Sequence, residues 1–215
     1  MLSLKNTLWI AALSLAALTS CSDDSTTPAV PVQSRTVRNL PADPTATPVS
    51  TTGTSTTATQ PAAATNKYTL YRLSDSTVVA NSDSASNRWD IGFRATNIIV
   101  NGGAIRSGQG GAYVHSGTFD ALTTIPESAT FATDQSASQL AVPTGSGNGW
   151  YNYANTIITP IPGRVLVVRT GDGKYAKVEI LSYYRGAPAT PSATSVGRYY
   201  TFRYVYQPNG SKTLN

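Results

Sequence analysis

The chain is poor in the side chains from which metal centres and covalent catalytic sites are made. Among 215 residues there is one cysteine, one histidine and one methionine. They are Cys21, His115 and the initiator Met1. A lone cysteine excludes an intramolecular disulfide framework and a cysteine zinc knuckle. A lone imidazole excludes the shared His/Cys ligand sets typical of transition metals. Charge is also sparse: Asp, Glu, Lys and Arg make up 13% of the chain. The balance is mildly basic, 16 Lys and Arg against 11 Asp and Glu, which suits acidic partners. The basic residues are dispersed without a Lys/Arg run, and no nucleic-acid partner is expected.

Long apolar runs are missing too. The longest, Leu8 to Leu18, lies in MLSLKNTLWIAALSLAALTSC and is shorter than the roughly 18 residues a spanning helix needs. With Lys5 before it and small residues after it, this stretch reads as a secretory signal over residues 1–20. Leu18-Thr19-Ser20-Cys21 resembles a bacterial lipobox, so Cys21 is expected to be acylated and to become the mature N-terminus. Ser22 stands where an aspartate would resemble an inner-membrane retention signal, which favours the outer membrane.

From Cys21 to residue 66 the composition is Ser, Thr, Pro and Ala, as in TATPVSTTGTSTTATQPAAAT. Such a segment offers little apolar surface to offset the entropy of ordering, and it reads as a disordered tether. Fully extended, it would reach roughly 150 Å. Residues 67–215 are then long enough for one folded domain with its own core.

In that domain Gly, Ser, Thr and Asn punctuate short runs rich in Val, Ile, Tyr and Phe, and no segment keeps a 3.6-residue apolar period. The pattern predicts an all-β, compact antiparallel domain. Expected strands cover 68–73, 88–95, 97–100, 111–116, 164–169, 174–184 and 198–206. Thr170-Gly171-Asp172-Gly173 is the turn of a hairpin between the fifth and sixth of these. Alternation puts Ala176, Val178, Ile180 and Ser182 on its buried face, with Lys177 and Glu179 on a wet face. Tyr200, Phe202, Tyr204 and Tyr206 form an aromatic ladder on one side of the last strand, expected to pack in the core. The loop 185–197 is either a mobile flap or a long connection.

Catalytic constellations are absent. His115 has Ser116 and Asp120 near it, but adjacent strand residues face opposite ways and no G-x-S-x-G elbow exists. The eight acids from Asp75 to Glu179 show no paired spacing and read as solvated or turn residues. NGGAIRSGQGGA and TGSGNGW match neither a Walker nor a dinucleotide motif. What remains is a binding surface of tyrosines, tryptophans and one histidine.

Several blocks carry a resemblance: RWDIGFRATNIIVNGGA at 88–104, GQGGAYVHSGTFDALTTIP ending at Pro126, GWYNY at 149–153, PIPGRVLVVRTGDGKYAKVEILSYY at 160–184 and RYYTFRYVYQPNGSKTL at 198–214. Together they resemble the HmuY-like haem-binding lipoproteins of Bacteroidetes. The resemblance implies a hand-shaped all-β domain whose thumb and finger loops grip haem. It also implies a lipid-anchored or shed cell-surface carrier serving iron acquisition, with a TonB-dependent receptor as partner. In the founding member two histidines hold the iron, one before the counterpart of GWYNY and one shortly after it. Here those regions read ESATFATDQSASQLAVPTGSGN and ANTIITP, with Asn155 and Thr156 near the second position and no imidazole in either. Three ways of holding haem stay open: His115 alone as the metal ligand, a tyrosinate on ferric iron, or a porphyrin held by packing and propionate contacts. Trp150, Tyr151, Tyr153 and Asn155 are the expected cofactor contacts. The competing expectation is a structural or adhesive surface domain that has lost the ligand.

Overall fold

A computed structural model describes residues 31–43 and 64–215. The signal segment and Cys21 lie outside the described residues. Among the described residues eleven strands, all paired antiparallel, account for the regular structure, with a single 3-10 turn at Asn81–Asp83. They are β1 (Gln33–Pro41), β2 (Thr69–Arg72), β3 (Thr77–Val79), β4 (Ile91–Arg94), β5 (Asn97–Val100), β6 (Gly111–Ser116), β7 (Tyr151–Ala154), β8 (Ile157–Pro160), β9 (Arg164–Arg169), β10 (Tyr175–Tyr184) and β11 (Gly197–Gln207). A five-stranded sheet runs β1-β11-β10-β9-β6, a four-stranded sheet runs β3-β2-β4-β5, and β7-β8 is a separate hairpin.

The two large sheets close on a shared core. Tyr71, Ile91, Phe93 and Ile98 from the four-stranded sheet meet Leu166, Val178, Tyr200 and Phe202 from the five-stranded one. Period-2 alternation in β11 delivers the aromatic ladder to this interface, as its composition predicts. Phe93 stacks 5.3 Å from Phe202 and 4.8 Å from Tyr200, while Tyr71 meets Phe202 edge-on at 5.6 Å. Each such pair adds roughly 1 kcal/mol beyond area burial. The β9-β10 hairpin forms as expected with Val178 and Ile180 inside, Val178 opposite Leu166 and Tyr175 opposite Arg169.

The other face of the five-stranded sheet is not wet. Phe119, Leu122, Ile125 and Leu214 lie over Val165, Val167 and Val205 in a second apolar cluster. Lys177, expected on a solvated face, is 4% exposed. Alternation in β10 reports which residues share a face, but not that the irregular chain after β6 folds back across it. The Lys177 ammonium donates to the carbonyls of Phe119 (2.9 Å) and Leu122 (2.8 Å), which replaces its lost hydration.

A further difference lies in the expected tether. Gln33–Pro41 is a strand, paired with β11 from Gln33 opposite Tyr206 to Pro41 opposite Tyr199, with a bulge between Val37 and Leu40. The segment QSRTVRNLP carries few apolar residues, and the ladder to a strand some 160 positions away supplies what its own composition lacks. Leu40 and Ala42 enter the shared core. Asp43 then clamps the end: its carboxylate accepts from the Thr65 amide and hydroxyl, both at 2.9 Å, and from Arg198 at 3.1 Å. The folded unit thus begins well before residue 67, and residues 44–63 are outside the described residues.

Two acids expected to be solvated are buried. Asp90 accepts from the amides of Leu73 (2.7 Å) and Gly171 (3.0 Å), tying β2, β4 and the β9-β10 turn together. Asp134 is fully buried and accepts from the amides of Ala141 (2.9 Å) and Val100 (3.2 Å) and from Arg106 Nε (3.2 Å). Both serve as hubs for backbone donors that would otherwise be orphaned in the interior.

Candidate ligand-binding hairpin

Three of the five expected ligand contacts, Tyr151, Tyr153 and Asn155, fall on one hairpin, and a fourth, Trp150, immediately precedes it. In YNYANTIITP, Asn155 and Thr156 form the two-residue connection between β7 and β8 with φ of 49° and 64°. Two successive positive φ values are the backbone of a type I′ hairpin turn, and Asn tolerates that conformation better than most residues. The alternation around Asn-Thr is the sequence signal for this hairpin.

The hairpin is pinned at its base. Trp150, 2% exposed, donates its indole N–H to the Thr96 carbonyl at 3.0 Å. Its ring packs against Tyr151, Tyr200 and Tyr183 with centroids 4.9, 5.2 and 6.1 Å away. Tyr151 is buried beside it. On the second strand the Ile158 amide donates to the Tyr184 hydroxyl at 2.8 Å, so β10 holds β8 from below. The preceding loop wraps the first strand: Gly147 N–H donates to the Tyr151 carbonyl (2.9 Å) and Tyr153 N–H to Ser146 Oγ (2.8 Å). Ser146 and Tyr184 are positioning residues that no motif in the sequence marks.

Above that base the side chains face outward. Tyr153 is 56% exposed, and Asn155 is exposed at the tip. Trp150 and Tyr151, expected as cofactor contacts, instead form the floor, with their rings covered by other core aromatics. Burial pushes the neighbouring Tyr183 hydroxyl up to about 12 and that of Tyr200 well above the usual phenol range. Neither is a ready tyrosinate.

His115 is elsewhere. On β6, Ala112 and Val114 face the core between the sheets while Tyr113 joins the outer cluster, so His115 shares the outer face. It stands opposite Val165 of β9, and a Cβ on Gly117 would come within 2.5 Å of its Nε2, so a larger residue there would make the imidazole move. The hairpin's Ile157 and Ile158 pack on the inner cluster. The structure therefore places His115 on the opposite face of the five-stranded sheet from Trp150 and the hairpin that follows it. Among the described residues no three His, Cys, Asp or Glu side chains gather where they could hold a metal ion. This donor set does not fit a haem iron held by two facing side chains.

Three solved structures are similar to the chain at low identity. A candidate lipoprotein of Bacteroides fragilis is 18% identical with a TM-score of 0.45, covering 65% of this chain and 84% of that one. A candidate HmuY-like haem-binding protein of Bacteroides vulgatus is 19% identical with a TM-score of 0.42, covering 65% and 85%. The apo HmuY analogue of Tannerella forsythia is 13% identical with a TM-score of 0.49, covering 84% and 99%. No curated protein matches the chain. The family model for HmuY protein matches residues 52–204, most of the chain, and the protein belongs to the HmuY family.

Proposed function

We propose that the protein is a non-enzymatic binding protein of the cell surface that captures haem or a related porphyrin and passes it to an outer-membrane uptake system. Acylation at Cys21 would anchor it, and a TonB-dependent receptor would be the recipient. The hairpin β7-β8 is the gripping element, with Tyr153 as its principal contact and Asn155 at its tip. The observation that carries this reading is an exposed tyrosine on a hairpin locked to an aromatic core, in a chain matched by the HmuY model over residues 52–204. A rigid support lets a single exposed ring offer contact area at small entropic cost. Because the two-ligand donor set is missing, grip comes from packing and polar contacts rather than from paired axial bonds.

Titration with haemin and with iron-free protoporphyrin tests this. Both should give saturable spectral changes at micromolar concentration, haemin without a six-coordinate bis-histidine or bis-methionine signature. Tyr153→Ala should weaken both by about tenfold or more, the scale of one lost aromatic contact with its hydrogen bond. His115→Ala should leave both unchanged. A second reading, a structural or adhesive surface domain, is favoured by the burial of Trp150 and Tyr151, which removes two of the expected contacts. Absence of any saturable change with either porphyrin would decide for it.

A further inference from the structure

Away from the hairpin, two adjoining hollows open where β2 and β3 meet the β9-β10 turn. One, of about 190 Å³, is lined by Arg72, Ser74, Asn87, Asp90, Asp172 and Tyr206 together with Arg88. The other, of about 170 Å³, lies against β3 and Asp83 and shares Arg72 and Arg88 as its wall. Each is smaller than the roughly 300 Å³ at which pockets for drug-sized ligands begin, so neither admits a porphyrin.

The chemistry of the walls is specific. Arg72 is already paired with Asp75, its Nε 2.9 Å from Oδ1, and Arg88 with Asp83 at 2.5 Å. The guanidinium charges are thus balanced, while their remaining N–H groups stay available as directed donors. Asp90 is held rigid by two backbone amides and keeps further lone pairs, and Asp172 Oδ1 accepts from Thr170 Oγ1 at 2.6 Å. Tyr206 is 3% exposed, and among the described residues its hydroxyl has no hydrogen-bond partner. Yet it is not sealed, because it lines the larger hollow. Its hydroxyl is therefore open to the hollow and free to bond a ligand there.

Asp172 Oδ2 lies 3.9 Å from the Lys174 ammonium, so among the described wall residues Asp90 alone lacks a paired cation. Fixed donors facing fixed acceptors, with so little net charge to match, call for a neutral ligand whose groups both donate and accept. A phosphate would be repelled by Asp90 and Asp172. A divalent cation would meet two guanidiniums and too few oxygen ligands. An apolar ligand would strand the walls. We propose that these hollows form a site for a neutral polyhydroxylated ligand, one or two linked sugar rings, with Tyr206 and Asp172 bonding one ring and Arg88 bridging to the second. Vicinal hydroxyls match this pattern because each can give one hydrogen bond and receive others.

The test is a ¹H–¹⁵N titration of the full chain with glucose, galactose, N-acetylglucosamine and cellobiose, alongside inorganic phosphate and calcium alone. At least one sugar should shift the Leu73 and Gly171 amides saturably at millimolar concentration. Tyr206→Phe, which removes a hydroxyl without a protein partner and should keep the native spectrum, and Asp172→Asn should each weaken the response about tenfold, the scale of one lost hydrogen bond. No saturable shift with any sugar, wild-type affinity in both variants, or a response to phosphate or calcium in place of sugars would overturn the proposal.

Discussion

The ammonium of Lys177 donates to the carbonyl of Phe119 at 2.9 Å and lies 4.6 Å from the centre of that residue's own ring. Arg203 approaches the ring as well, its guanidinium carbon 4.3 Å from the centroid. One lysine thus fastens the chain after β6 to the sheet by main chain and side chain together.

Replacing Lys177 with methionine keeps most of the stem but leaves the Phe119 and Leu122 carbonyls unpaired. It should cost about 1–3 kcal/mol in urea unfolding, and Lys177→Asp should cost more, since it sets a carboxylate against two carbonyls. Unchanged stability in both would show that water satisfies these carbonyls.

Asp90 supplies a pH dependence. Burial, working against two backbone hydrogen bonds, raises its carboxyl to about 6. A raised acid binds its proton more tightly folded than unfolded, so this contribution is full below the unfolded value near 4 and is lost as pH rises through about 6. Relative to Asp90→Asn, wild-type stability should decline by about 2–3 kcal/mol between pH 4 and 7. A parallel pair of stability curves would contradict this.

Among the described residues the buried hydroxyl of Tyr113 has no partner, while its ring packs 5.3 Å from Phe131. Tyr113→Phe keeps the ring and removes an unsatisfied group. The variant should be as stable as wild type or gain up to about 1 kcal/mol. A loss of that size, seen by thermal melting, would reveal a partner for the hydroxyl.

A chain starting at Lys67 lacks β1, with Leu40, Ala42 and the Asp43 clamp. It should lose on the order of 3 kcal/mol or more, from apolar burial and the broken ladder. Melting at the same temperature as the longer chain would show that β1 contributes nothing to stability.

Where burial and alternation coincide, the sequence was a good guide. The β9-β10 hairpin and the β11 ladder were legible because each strand's own residues encode its inner face. Strand β1 was not, since only Val37 and Leu40 mark it and its partner is remote. Lys177 was misplaced for a related reason: a charge on the alternate face signals water only when nothing crosses that face. At the candidate site, residue types did locate the hairpin, yet they could not separate Tyr153, which faces out, from Trp150 and Tyr151, which form the floor. Both kinds of position favour aromatics. His115 drew attention by being the only imidazole, a property of composition that says nothing about the sheet face it occupies.

Strand β1 also alters the reach of the protein. A lipid on Cys21 would be separated from Gln33 by twelve residues rather than by the whole segment to residue 66, which limits the leash to about 40 Å instead of about 150 Å. In the fully extended limit the volume swept shrinks with the cube of that ratio, roughly fifty-fold, and the effective concentration seen by a neighbour in the same membrane rises to match. In a lipid-anchored protein, pairing of one strand with β11 would therefore set how often the domain meets a membrane-embedded partner.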